Sequence, residues 1–276
     1  GDAAGEFFRQ LFAKNVANCP FPLYESEETA NRYEPPAFGN KVKRRVLPAF
    51  FNVYDDPTID RLGDLKLMGH YEVDDAGAIP RRVQLVSQGK LSSLLLGTAP
   101  TRKVTRPNGH ARGAASKEVT AKPGNLIFES GDRVPYEQLK QSMLELCHDM
   151  DLEYGLVIRK LQDLNAPRGG SRMFLYGGSG GRGSALTIPL EVYKIYPDGR
   201  EVPVRNLEFS NVTVRILRDI LQTDDRQYLY NYLIGNDYEM PVSIVTPAIL
   251  IEEMELKRSE EKIKKPPLLP SPLADK

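Results

Sequence analysis

One short loop concentrates the side chains best suited to holding a ligand. Pro107-Asn108-Gly109-His110-Ala111-Arg112-Gly113 bends at its proline and glycines, and Asn108, His110 and Arg112 supply hydrogen-bond donors from it. Around it, Arg102, Lys103, Arg106, Arg112, Lys117 and Lys122 face a single acid, Glu118, although the whole chain balances 37 basic against 37 acidic residues. A nucleic-acid surface would add exposed aromatic side chains for stacking or a wider basic field, and this segment has neither. What remains is a solvated loop or a groove that grips a ligand.

Other polar clusters carry less. Cys147-His148 pairs two metal-ligating types, but neighbours on a helix diverge by about 100° and no third ligand lies near in sequence, so a core cysteine beside a surface histidine is expected. The glycines of Gly177-Gly178-Ser179-Gly180-Gly181-Arg182-Gly183-Ser184 lack the lysine that a phosphate-binding loop places after its last glycine, and they suit a flexible hairpin tip or a flap. Two cysteines, Cys19 and Cys147, are too few for a disulfide framework, and thiols are expected. No apolar run reaches the roughly 18 residues of a membrane span, and no signal peptide is visible.

The elements that would position these groups follow from periodicity. Asp2 opens a helix in which Ala4, Phe7, Phe8, Leu11, Phe12 and Val16 recur at helical spacing, which predicts packing into the core. A connection across the surface spans residues 17–41 around a polar helical fragment, Glu25 to Tyr33, and Val46 to Tyr54 forms a strand ended by Asp55-Asp56-Pro57. Apolar runs on either side of Ser87-Gln88-Gly89-Lys90 predict one hairpin, and those flanking Pro197-Asp198-Gly199 predict another. Asn125 to Glu129 and Gly155 to Leu161 are expected strands. Pro135 begins a helix carrying Leu139, Met143, Leu146 and Met150 on one face. A short helix over Val212 to Leu221 and strands at Val242–Val245 and Ala248–Met254 complete the reading. The fold class is α+β, mainly antiparallel β-sheet with two or three packed helices: one domain over 1–256 and a charged, proline-rich tail over 257–276.

The order of Asp74-Asp75-Ala76-Gly77, the first hairpin and Asn108-Gly109-His110-Ala111-Arg112-Gly113 resembles the signature region of the TldD/PmbA metallopeptidase-related family, which carries the older label of DNA gyrase modulator. Pro123-Gly124-Asn125-Leu126, Tyr196 to Glu201 and Pro247 to Ile251 extend the likeness over most of the chain. The resemblance implies a further domain before Asp2 and, in active members, a zinc motif of the form AAGxxFHExFGH. Here that stretch is AAGEFFRQLFAK, so Arg9, Gln10 and Lys14 fall where the first His, the Glu and the second His would stand. Arginine and lysine repel a divalent cation and glutamine is no general base. The late cysteine of active members is also missing from Tyr232 to Pro241.

The implied protein is a peptidase-family subunit that has lost its zinc site, with no catalytic residue and no cofactor of its own. Arg9, Gln10 and Lys14 are expected on a solvated helix face. Asn108, His110 and Arg112 would line a groove for an extended peptide, and a homologous subunit or a second copy would be the partner. Nucleic acid and membrane are not expected, and a cytoplasmic location is favoured. The alternatives are an active metallopeptidase with ligands supplied from elsewhere and a module that binds peptides or gyrase.

Overall fold

The computed structural model describes residues 2–17, 36–99, 104–113, 119–163, 184–234 and 240–259. The expected helical fragment within 17–41, Cys19, the glycine cluster and most of the tail lie outside those residues. Helix α1 is α-helical over Asp2–Phe8, widens to a π-helix over Arg9–Ala13 and closes as α-helix over Lys14–Val16. The strands that position the site are β1 (Phe51–Asp55), β2 (Val83–Ser87), β3 (Lys90–Leu91), β4 (Asn125–Ser130), β5 (Gly155–Leu161), β6 (Pro189–Ile195), β7 (Glu201–Val204), β8 (Ile220–Asp224), β9 (Tyr228–Ile234), β10 (Met240–Thr246) and β11 (Ile249–Ile251). Helix α2 spans Tyr136–Asp149.

The largest sheet has the order β9-β10-β4-β1-β2-β3, antiparallel except where β10 runs beside β4. Its centre is buried on both faces, which is why β4 is apolar at consecutive positions rather than alternating. On one face lies α1: the Phe8 ring stacks on Phe128 of β4 at 4.1 Å, and Phe12 meets the same ring edge-on at 5.1 Å. Such aromatic contacts exceed their area burial by about 0.5–1.5 kcal/mol each. On the other face Tyr54, Leu67, Ile127 and Val245 form a smaller cluster. Strands β5, β6 and β7 make a separate antiparallel sheet, and β8 pairs with β11. The fold is the expected α+β arrangement, and among the described residues no helix is long and apolar enough to cross a membrane.

Both expected hairpins form. Gln88 and Gly89 have φ of 46° and 74°, the two positive values that a tight two-residue turn between twisted strands requires. The strand expected from Val46 begins only at Phe51, because Val46 and Leu47 turn their amides onto the Gly89 carbonyl instead. The helix expected over Val212 to Leu221 is a 3-10 turn at Val214–Arg218 that gives way to β8, where Ile220 pairs with Ile251. Strand β9 is a feature the sequence reading omitted. Helix α2 buries Leu139, Met143 and Cys147, while His148 points outward and Met150 lies past its end, 42% exposed. Burial pushes the Cys147 thiol above its ordinary value.

Gly89 is also crossed by its neighbours: a Cβ there would lie 2.3 Å from the Leu47 carbonyl oxygen and 2.4 Å from that of Pro48. Gly89→Ala must therefore strain φ and push this crossing apart. A loss of about 2 kcal/mol or more is expected in urea unfolding, against a change within about 0.5 kcal/mol for Gly63→Ala, whose Cβ would meet open space although its φ is also positive, once the intrinsic cost of that φ is subtracted.

Candidate functional site

Helix α1 turns Glu6, Arg9, Gln10 and Asn15 into the interior, and each one is answered, Asn15 by the Leu11 carbonyl and the Ala37 amide. Glu6, Arg9 and Gln10 share one face at spacings of three and four residues and are buried, with Glu6 only 1% exposed. Arg9 Nη1 donates to Glu6 Oε2 at 3.0 Å and also to Asp163 Oδ1, just past the end of β5. The other Glu6 oxygen accepts from Gln10 Nε2 at 2.7 Å, and Tyr230 of β9 donates its hydroxyl hydrogen to Oε2. Gln10 continues outward: its amide nitrogen donates to Thr187 Oγ1 and its oxygen accepts from the Thr187 amide, both at 2.8 Å. The Arg9 guanidinium lies 4.3 Å from the centre of the Tyr232 ring, and Tyr230 stacks beside Tyr232.

Two backbone features make this possible. A Cβ on Gly5 would fall 2.2 Å from Tyr230 Cβ, so only glycine lets α1 settle this closely on β9. The π turn then begins at Arg9 itself, a local widening often found where a helix carries function.

Charge follows geometry. Burial alone would lower the Arg9 guanidinium, but attraction to Glu6 and Asp163 overrides it and holds the group above its ordinary value. The Tyr230 hydroxyl is pushed up by burial and by Glu6. Tyr232 is pushed up by burial, with Arg9 opposing and Asp55 and Glu6 reinforcing. The expected solvated face is thus corrected for two of its three members: Arg9 and Gln10 are interior, and only Lys14 is exposed. The zinc that active members of the resembling family use does not suit this donor set. A permanent cation occupies its middle, and the one buried carboxylate on the helix already accepts from three donors. Among the described residues no group of three His, Cys, Asp or Glu side chains converges as metal ligands would.

The loop residues form a second buried cluster beside the first. His110 is fully buried, with Nε2 2.9 Å from Asp55 Oδ1 and Nδ1 3.0 Å from the Asn108 carbonyl oxygen. Asp55 also accepts from the Gly124 amide. Asn108 accepts from the Leu96 amide at 2.8 Å and donates to the Leu94 carbonyl at 2.9 Å, tying the loop to the segment after β3. Asp74 accepts from the Ala76, Ala78 and Ala111 amides, and Asp75 from that of Gly113, so the acidic turn and the loop interlock. Asn108 and His110 are therefore placed in the interior rather than on a groove wall, since their polar atoms are spent on the chain itself. Arg112 is the member that reaches the surface layer, stacked over Tyr71 at 4.4 Å and 3.7 Å from Asp75.

Glu6, Asp163, Thr187, Tyr230 and Tyr232 were missed in sequence. Glu6 had a signal, one turn before Gln10 on the same face; the other four meet it only through the fold.

Residues 23–181 match the PmbA/TldA metallopeptidase C-terminal domain, more than half of the chain, and the chain belongs to that family. Helix α1 precedes the matched span. Among solved structures, a proposed modulator of a DNA gyrase from Thermotoga maritima superposes with a TM-score of 0.57 at 16% identity, covering 92% of this chain and 47% of that one. TldE from Thermococcus kodakarensis superposes with a TM-score of 0.53 at 15% identity, covering 93% and 48%. These likenesses establish the fold, and the chain spans about half the length of either structure. No curated protein matches it.

Removing Arg9 leaves Glu6 buried without its cation, so Arg9→Ala should lower stability by about 3–5 kcal/mol in urea unfolding. Adding Glu6→Gln, which keeps an acceptor for Tyr230 but removes the stranded charge, should restore part of that loss. The tyrosines predict alkaline lability. Their folded pKa values are raised, so the folded chain keeps protons that unfolded tyrosines release near pH 10, and stability is complete below about pH 10 and falls above it. Urea midpoints at pH 9 and 11 measure the slope, and Tyr230→Phe should flatten it.

Proposed function

We propose that this chain is a non-catalytic member of the PmbA/TldD metallopeptidase family that binds extended peptide together with a homologous, zinc-bearing subunit. The observation that carries the reading is the Arg9 guanidinium locked between Glu6 and Asp163, on the helix face where the resembling motif places its metal ligands. An internal cation there supplies the positive charge that would otherwise come from a metal, and it cannot activate water.

A place for the peptide is suggested by β9. Among the described residues it is the outer strand of the main sheet, paired with β10, and along its first five residues, Tyr228 to Tyr232, an extended chain can add through main-chain hydrogen bonds. The opposite edge offers less, since β3 has two residues and Arg45 bridges to Lys90. The β7 edge carries Pro203, which lacks an amide to donate. The likeness to TldE bears on the fold alone, while membership of the family supports the metallopeptidase relationship.

Three experiments test this. Elemental analysis of the purified protein should find zinc well below one per chain; one zinc held per chain by any of His70, His110 or His148 would sink the pseudoenzyme reading. Alone the protein should form a two-fold dimer and leave peptides uncleaved, and mixed with a zinc-bearing homologue from the same source it should change that homologue's peptidase rate. A monomer at micromolar concentration with no effect on the homologue would favour a free-standing peptide-binding module. Arg112→Ala should weaken peptide binding by more than its loss of the Tyr71 stack and Asp75 contact lowers stability, about 1 kcal/mol; equal losses would mark the loop as structural.

A further inference from the structure

A separate hollow of about 380 Å³ lies where the loop after Phe38 meets the 3-10 turn at Val214–Arg218. Five cations line it, namely Lys41, Arg44, Arg45, Arg215 and Arg218, and among the described residues no acidic one does. None of the four guanidinium groups forms an ion pair with a described carboxylate, in contrast to Arg9, Arg112, Arg159 and Arg200 elsewhere in the chain. All four arginines are exposed. In a chain with no net charge such a gathering is a local departure, because like charges at close range repel unless an anion joins them.

The walls are fixed before any ligand arrives. Lys43 adopts a left-handed turn, φ 72°, and donates its amide to the Leu91 carbonyl at 2.7 Å; the Leu91 amide returns to Arg44 and that of Val46 to Gly89, both at 2.9 Å. The loop is thus sewn onto the first hairpin. Opposite it, Ile216 and Leu217 are buried and Thr213 caps the turn by accepting from the Arg215 amide. Val46 and Val214 line the floor with Phe38, whose ring is 1% exposed and so offers no face on which a base could stack.

We propose that this hollow binds a compact oligophosphate, a ligand of linked phosphate groups held by the arginine forks. Guanidinium groups match phosphate oxygens in pairs, and several converging forks suit a dense polyanion better than a lone carboxylate. The small volume and the neutral chain as a whole distinguish the hollow from the long basic track that a duplex needs. The phosphates could belong to a free inorganic chain or to a nucleotide, and the test separates these sources.

Titration calorimetry at low salt with inorganic tripolyphosphate is expected to show one saturable site. ATP should bind with similar affinity if the phosphates alone are recognised, and at least about tenfold more tightly if the source is a nucleotide; either result supports the site. Arg44→Ala with Arg218→Ala removes two charge-assisted contacts and should weaken tripolyphosphate about tenfold or more. Both residues are exposed, so circular dichroism and thermal unfolding should be unchanged. Arg61→Ala with Lys66→Ala deletes equal charge on another exposed hairpin and should change affinity less than about twofold. Equal weakening by the two pairs, no saturable binding, or tighter binding of a short DNA duplex or a poly-glutamate peptide than of tripolyphosphate would overturn the proposal.

Discussion

A guanidinium cannot shed its charge, so wherever one is buried the surrounding chain must converge on it with carboxylates and acceptors. Arg9 imposes that demand here. Glu6 answers from the same helix, Asp163 from just past the end of β5, and the face of Tyr232 from β9, while Tyr230 of β9 bonds Glu6, so three parts of the fold are committed to one cation. The absence of a side chain on Gly5 is part of the same requirement, since any Cβ would hold the helix off the strand that completes the network. Gln10 and Thr187 then seal the flank with a reciprocal amide pair. The result is a satisfied junction, closed on the helix side and open to water at Asp163.

The second cluster shows a different use of polar residues. Asp55, His110 and Asn108 are all interior, and their bonds run to backbone amides and carbonyls of segments that would otherwise have no regular partner. Irregular chain can be buried only when such side chains satisfy it. The acidic turn at Asp74-Asp75 and the loop at Asn108 to Gly113 were read as separate pieces of a family signature, and in space they are one knot in which carboxylates accept from loop amides. The resemblance therefore tracks a structural core of the family as much as any substrate contact.

What could be read in advance divides along physical lines. Elements with strong local grammar were legible: the amphipathic α1 and α2, and two hairpins whose turn residues state their own φ values. Where tertiary pairing decides, local pattern misled. The stretch ending at Leu221 has residues for a helix, yet Ile220 pays more attention to Ile251 than to its own neighbours, and the chain switches to strand. Strand β9 is hard to read because the residues between its tyrosines, Leu229, Asn231 and Leu233, are mostly apolar and blur the alternation, and its partners are known only once β10 lies beside it. The site shows the same division. Arg9 and Gln10 were noticed for their position in a motif but assigned to solvent, since charged residues are seldom buried unless paired, and their partners Asp163, Thr187 and Tyr230 are far away in sequence.

That distance shapes how the protein can be made. Tyr230 lies 224 residues after Glu6 and Asp163 lies 154 after Arg9, so α1 cannot complete its ionic network until nearly all the described chain has followed it. Until then its phenylalanines have no finished sheet to cover and its buried charges have no counterparts. Contacts of such high separation slow folding and lengthen the time for which apolar surface is exposed. The closing of α1 over the sheet thus waits on strands that lie far along the chain.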